Sequence, residues 1–433
     1  MNTNMKTHSS ALLRERYWEG RHSSGLRVLV FPKKMTSFYA VLATSFGSLD
    51  RSFRPDPASP VLTLPAGTAH YLEHKLFDDP DGTDALARFS AFGADANAYT
   101  DYTKTAYLFN TSEQFDAALA ELLRFVFTPY FTPASVAKER GIIAEEIRSG
   151  LDNPSDRCSN GVMDGLYHVN PVRDEIAGTE DSIAGITADL LYRCHEIFYR
   201  PSNMILCVCG DLTYDRVMET VERVCPASAA PFTAVREPVR EPDAARLPRV
   251  FRTMPVATPL FYIGVKDPVL PADPAARLRR DAAASLLSDV LFSRSSAFYN
   301  DLFEQGLLLP SLSYGYSGTD RFAFHSLCGE SPDPEAVLDR FFATVANARR
   351  SGLDPDDFLR SRRCLIADQI RAYDSTEEIC ETLLSFALEG VDLFSYPDLL
   401  ASVTPDDCSS LLDIFSPDQT CLSVVRPGPQ SGL

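Results

Sequence analysis

Two histidines and a glutamate fall within five residues, His70-Tyr71-Leu72-Glu73-His74, inside the apolar run AHYLEHKLF. Imidazole and carboxylate groups are costly to bury unpaired, so their company in such a run calls for a partner. On a helix, residues at i, i+3, i+4 and i+7 share a face, which puts His70, Glu73, His74 and Phe77 on one stripe. Two imidazoles one turn apart can take a single metal ion, and neutral imidazole suits zinc. In the spacing H-x-x-E-H the carboxylate stands next to the second ligand, where it can act as a general base.

A centre of this kind needs a third ligand. The segment ASVAKERGIIAEEI, residues 134–147, reads as a helix on which Glu139, Ile142, Ile143 and Glu146 form a stripe expected to face the core. Glu145, about 100° round from Glu146, points elsewhere. A carboxylate on an apolar stripe wants a cation, because an unpaired buried charge is expensive and otherwise protonates. Glu146 is therefore the expected third ligand, with Glu139 a supporting carboxylate behind the ligands. The competing reading pairs both with Lys138 or Arg140 on a solvated face.

Other constellations are weak. Gly315-Tyr316-Ser317-Gly318 falls short of a G-x-S-x-G elbow, and the chain has no phosphate-binding glycine loop. His168, His195 and His325 stand alone and are expected to be structural. Ten cysteines without a C-x-x-C pair read as reduced, mostly buried thiols. Cys207 and Cys209 alternate on an apparent strand and are expected to pack rather than bind metal.

These residues must be positioned by a large fold. A chain of 433 residues exceeds the length at which one core stops growing, so two domains are expected. Hydrophobic residues make up 45%, which argues against global disorder. The formal charge of −18 disfavours nucleic acid and anionic membrane as partners. Neither an apolar leader nor a spanning run of about 18 apolar residues is present, and a soluble, cytoplasmic protein is expected.

Prolines 226, 231, 238, 242 and 248 mark residues 226–248 as a linker between a lobe of residues 1–225 and one of residues 249–433. In the first lobe, strands at 25–32 and 38–47 precede helices near 65–77 and 83–93. A hairpin, ADANAYT and TAYLFNTS joined by Asp101-Tyr102-Thr103-Lys104, follows, then helices near 114–127, 133–150 and 181–199 and the strand MILCVCG. The second lobe repeats this order from LFYIGV to CLSVVR. The fold class is thus α+β: two similar lobes, each a mostly antiparallel sheet covered by helices, related by internal duplication. The second lobe's counterpart of AHYLEHKLF is DAAASLLSDVL, which lacks His and Glu, so one zinc per chain is expected.

The blocks GTAHYLEHKLF, GADANAYTDYTKTAYLF, KERGIIAEEI and YRPSNMILCVCGDL together resemble the pitrilysin family of zinc peptidases, the inverzincins, and within it the bacterial branch similar to processing-peptidase subunits. The resemblance implies His70, His74 and Glu146 as zinc ligands and Glu73 as the base of a metalloendopeptidase acting on peptides or unfolded segments. It also implies that Asn97, Ala98, Tyr99 and Thr100 lie on an edge strand that pairs with the substrate backbone. Active relatives carry Arg and Tyr in a second-lobe pattern L-R-E-x-G-L-x-Y, where this chain has Phe303 and Leu309, with Tyr314 or Tyr316 as possible substitutes. The implied partner is therefore a paralogous subunit, or a second copy, that supplies the missing pair. The alternative is a peptide-binding or scaffold subunit of a two-chain complex.

Overall fold

A computed structural model describes residues 5–80, 82, 85–226 and 230–428. It divides into two α+β units: residues 1–147, 175–238 and 370–394 form the first, and residues 148–174, 239–369 and 395–433 the second.

The first unit is built on a seven-stranded sheet. Its central strand Met204–Gly210 pairs in parallel with Arg27–Pro32 on one side and antiparallel with Phe38–Thr44 on the other. Thr105–Thr111 and then Ala94–Thr100 extend the sheet antiparallel, and Ala94–Thr100 is its edge among the described residues. The central strands read as continuous apolar runs because both faces are covered, as period-2 geometry requires. Val28 and Val30 enter one core with Leu119 and Leu122, whereas Leu29 and Phe31 enter another with Leu383 and Leu384. Cys207 and Cys209 pack in that second core, and all ten cysteines are free thiols.

The second unit holds a five-stranded sheet in which Arg249–Met254 runs parallel to Thr420–Pro427. Leu260–Lys266, Ala323–Glu330 and Ser313–Gly318 follow antiparallel. Strand for strand, this repeats the order and sense of five strands of the first sheet. The first unit adds a hairpin, Lys6–Ser10 and Glu15–Arg21, which its polar composition hides from pattern reading.

The division is not collinear with the chain, and here the expected boundaries 1–225, 226–248 and 249–433 need amending. Helix Pro154–Leu166 from the first half packs on the second unit's strands, where a Cβ on Gly165 would come within 2.2 Å of Cys421 Sγ. Helix Thr376–Glu389 from the second half completes the first unit. Described residues within 226–248 are tied into both units. Val235–Arg236 pairs with Ser52–Arg54 in the first unit, while Glu241 in the second accepts from the amides of His168, Val169 and Asn170 and from Lys266 Nζ.

The expected helix over 181–199 is two helices, Glu180–Ala184 and Ala188–Phe198. Thr187 caps the second by accepting from the Leu190 amide, and this supplies the break. No described helix is long and apolar enough to cross a membrane.

Candidate metal centre

Every candidate site residue lies in the first unit. Helix Thr68–Lys75 starts from Gly67 at φ 87°, where a Cβ would sit 2.4 Å from the Ala177 carbonyl oxygen. Only glycine fits that left-handed, crowded position. Tyr71, Leu72 and Leu76 are buried in the core, and the Tyr71 hydroxyl donates to the Val136 carbonyl, tying this helix to helix Pro133–Asp152.

That tie helps to set the ligand geometry. His70 Nε2 lies 3.5 Å from one Glu146 oxygen, and His74 Nε2 lies 3.5 Å from the other. The three ligand atoms fall within 4.8 Å of one another, the one such group among the described residues. Tetrahedral ligands about 2.0–2.2 Å from zinc stand roughly 3.4 Å apart, and the two nitrogen–oxygen separations of 3.5 Å match that spacing. His74 Nδ1 lies 3.1 Å from Glu139 Oε1, the carboxylate-imidazole pairing that frees the other nitrogen for a metal. His70 Nδ1 is buried without a hydrogen-bond partner among the described residues.

The charges respond to one another. A hydrogen bond from His74, reinforced by Lys75, holds the Glu139 carboxyl below its ordinary range despite burial. Burial pulls the His74 imidazole down, but Glu139, Glu73 and Glu146 outweigh it and the net shift is upward. The Glu146 carboxyl is lowered chiefly by its bond with His70. Burial raises the Glu73 carboxyl, against the Thr100 hydroxyl and the two imidazoles. Glu73 is only 7% exposed, a suitable setting for a carboxylate that must accept and release a proton.

One expectation is corrected. The stripe Glu139, Ile142, Ile143, Glu146 does not face the core as a whole: Ile143 is buried, but Ile142 is 49% exposed and the Glu146 side chain is likewise 49% exposed. Glu139 and Ile142 turn instead toward a cleft of about 470 Å³ that they line with Glu73, His74, Phe77, Asn97 and Ala98. Isoleucine and glutamate share the stripe because one edge of the helix, at Ile143, meets the core while its neighbours form a wall.

The edge-strand residues separate. Asn97 and Ala98 reach the cleft, and Thr100 Oγ1 donates to Glu73 Oε2 at 2.6 Å. Tyr99 points to the sheet's other face, where its hydroxyl and that of Tyr39 both donate to Glu381. Glu381 lies 282 residues along the chain from Tyr99, so no local signal could reveal it. Lys75, 1% exposed and paired with Asp78 beside Glu139, also escaped pattern reading, although a lysine directly after H-x-x-E-H was the available signal.

In the second unit Phe303 is 47% exposed and Leu309 is 37% exposed. Tyr314 and Tyr316 are engaged, donating to Asp289 and Asp267 respectively.

Comparison with known proteins fits this geometry. Residues 65–180 match the family described as insulinase (peptidase family M16), and residues 185–365 match its peptidase M16 inactive domain. An uncharacterized zinc protease of Bacillus subtilis, YmfH, is 34% identical over 92% of this chain and 94% of its own length. The chain belongs to peptidase family M16. An uncharacterized zinc protease of Streptomyces coelicolor is 26% identical over 83% of this M16 chain and 81% of its own. The crystal structure of a candidate M16-like peptidase from Alicyclobacillus acidocaldarius superposes with a TM-score of 0.91 at 30% identity, covering 99% of this chain and 100% of that one.

Proposed function

We propose that this M16 chain is a zinc-dependent endopeptidase that hydrolyses peptides or unfolded segments. The observation that carries the reading is the meeting of His70 Nε2, His74 Nε2 and the Glu146 carboxylate within 4.8 Å, with Glu73 buried beside them. A zinc ion held by those three residues would polarise a peptide carbonyl and acidify a water molecule. Glu73 would take the water's proton and deliver it to the leaving amine, and its position beside the ligands, shielded from bulk solvent, suits both transfers. Glu139 holds His74 in the tautomer that leaves Nε2 unprotonated. The backbone of Asn97 to Thr100, at the edge of the sheet, aligns the substrate by strand addition.

The partner in this proposal is a paralogous subunit or a second copy, supplying polar groups that Phe303 and Leu309 cannot. Ten free thiols favour a reducing compartment, the cytoplasm. A second reading, a peptide-binding subunit of a two-chain complex with little activity of its own, draws on the same apolar, exposed Phe303 and Leu309.

The test is zinc stoichiometry and cleavage of a random peptide library, with and without a co-expressed partner, for wild type and Glu73→Gln. The endopeptidase reading expects one zinc in both proteins and turnover in wild type alone. Substantial hydrolysis by the glutamine variant contradicts the base, and zinc without turnover in any combination favours the second reading.

A further inference from the structure

We infer that Thr100 is the positioning residue for Glu73, so that the strand expected to receive the substrate backbone also aims the catalytic base. This inference rests on the proposed hydrolase reading and adds a residue whose role there is mechanical rather than chemical.

The geometry is specific. Thr100 is the last residue of the edge strand, and its Oγ1 donates to Glu73 Oε2 at 2.6 Å. A hydroxyl has one proton to give. The Thr100 hydroxyl also lies 3.3 Å from Thr105 Oγ1, its cross-strand partner, but Thr105 already donates to the Phe46 carbonyl at 2.8 Å. With the Thr105 proton committed, Thr105 could only accept from Thr100, and between the two acceptors the Glu73 carboxylate, charged and at 2.6 Å against 3.3 Å, takes the Thr100 proton. Because Oε2 is held, Oε1 is the oxygen left to meet a water.

The strand itself is pinned from both faces. On one face Thr100 holds Glu73, and on the other the Tyr99 hydroxyl donates to Glu381, which also accepts from Tyr39 on Phe38–Thr44. Consecutive side chains of a strand point to opposite faces, so these contacts fix the height of the Tyr99–Thr100 backbone between the His-bearing helix and helix Thr376–Glu389. Asn97 and Ala98, three and two residues back from Thr100 along the same strand, line the cleft with Glu73 and His74. A peptide aligned on this edge is therefore placed in register with the base through one hydrogen bond. A misplacement of about 1 Å can cost 10²-fold in rate, which gives such a bond leverage.

Thr100→Val keeps the shape and removes the proton, whereas Thr100→Ser keeps the proton and trims a methyl group. In the zinc-loaded full chain, the valine variant is expected to lower kcat by about 10- to 100-fold, the range for losing an outer partner of a catalytic group, with KM and zinc content unchanged. The serine variant is expected to recover most of that loss. Unchanged kcat in Thr100→Val overturns the inference, as does a serine variant as impaired as the valine one, or loss of zinc in Thr100→Val. Crystal structures of wild type and Thr100→Val supply a readout independent of turnover: the Glu73 carboxylate is expected in one rotamer on Thr100 in the first and displaced in the second. An ordered, unmoved Glu73 in the variant also overturns the inference. Wild-type protein that cleaves no peptide with or without the co-expressed partner, yet shows the rotamer difference, defeats the hydrolase reading and leaves the positioning role standing.

Discussion

The two units share five strands in the same order and sense, yet their first helices after the second strand are made of different material. In the first unit this helix is eight residues, Thr68–Lys75, and buries Glu73 and Lys75. In the second it is nineteen residues, Pro274–Phe292, and buries Ala282, Ala283, Ala284, Leu286 and Leu287, with Ser288 its one buried polar residue. Ser288 is satisfied by His325 Nδ1 at 3.0 Å. The same architecture thus closes without metal-ligating groups, so the fold does not require the charges on the first helix. In the proposed function they serve the chemistry, and they are tolerated because each has a partner: Glu73 has Thr100, Lys75 has Asp78, and His74 has Glu139.

That contrast can be broken or sharpened at four places. The largest effect is expected from His70→Ala, which should abolish both zinc binding and turnover while the far-ultraviolet circular dichroism of the chain is retained; metal analysis and a peptide assay check it. Next is Asp267→Asn in the second unit. Asp267 is 2% exposed and accepts from Arg280 Nε and Nη2, each at 2.7 Å, and from Tyr316, so its neutralisation leaves a partly buried guanidinium without its carboxylate. Denaturant unfolding should register a cost of about 3–5 kcal/mol with zinc stoichiometry intact, since this unit carries no ligand. Glu139→Gln should weaken zinc binding by about 10- to 100-fold, measured by competition with a chelator, because the carboxylate behind His74 is lost.

The smallest effect concerns the sheet's far edge, where His8 sits between Glu19 at 3.1 Å and Asp392 at 2.6 Å. Burial acts to raise both carboxyls, but the hydrogen bond from Arg27 and then His8 lowers Glu19, and hydrogen bonds from His8 and the Phe394 amide lower Asp392. A depressed folded pKa gives stability that is present above the unfolded carboxylate value and is lost as pH falls through the folded one. Asp392→Asn should therefore cost stability near neutral pH, and the gap from wild type should close under acid, below about pH 4. The Asp392 side chain is 40% exposed, so solvent screening holds the effect to about 1 kcal/mol or less. Thermal melts across pH check the direction.

Much of this was legible because local periodicity carried it. The His70, Glu73 and His74 spacing gave one helix face, and the four residues from Asp101 to Lys104 gave a hairpin turn that lies between strands Ala94–Thr100 and Thr105–Thr111. Glu139 and Glu146 were visible as carboxylates among isoleucines, but whether that stripe faced a core or a cleft depended on what packs against it, and periodicity does not contain that. The exchange of helices Pro154–Leu166 and Thr376–Glu389 between the two halves was hidden for the same reason: an apolar helix face does not say which sheet will cover it. The Glu73–Thr100 and Tyr99–Glu381 contacts join distant segments and have no sequence period at all.

The central claim is that one divalent ion joins helix Thr68–Lys75 to helix Pro133–Asp152. Anomalous scattering from a crystal of the Glu73→Gln chain grown with zinc, collected at the zinc edge, tests it most directly. The account predicts a single strong peak about 2.0–2.2 Å from His70 Nε2, His74 Nε2 and a Glu146 oxygen. A peak elsewhere, or none at saturating zinc, would contradict it.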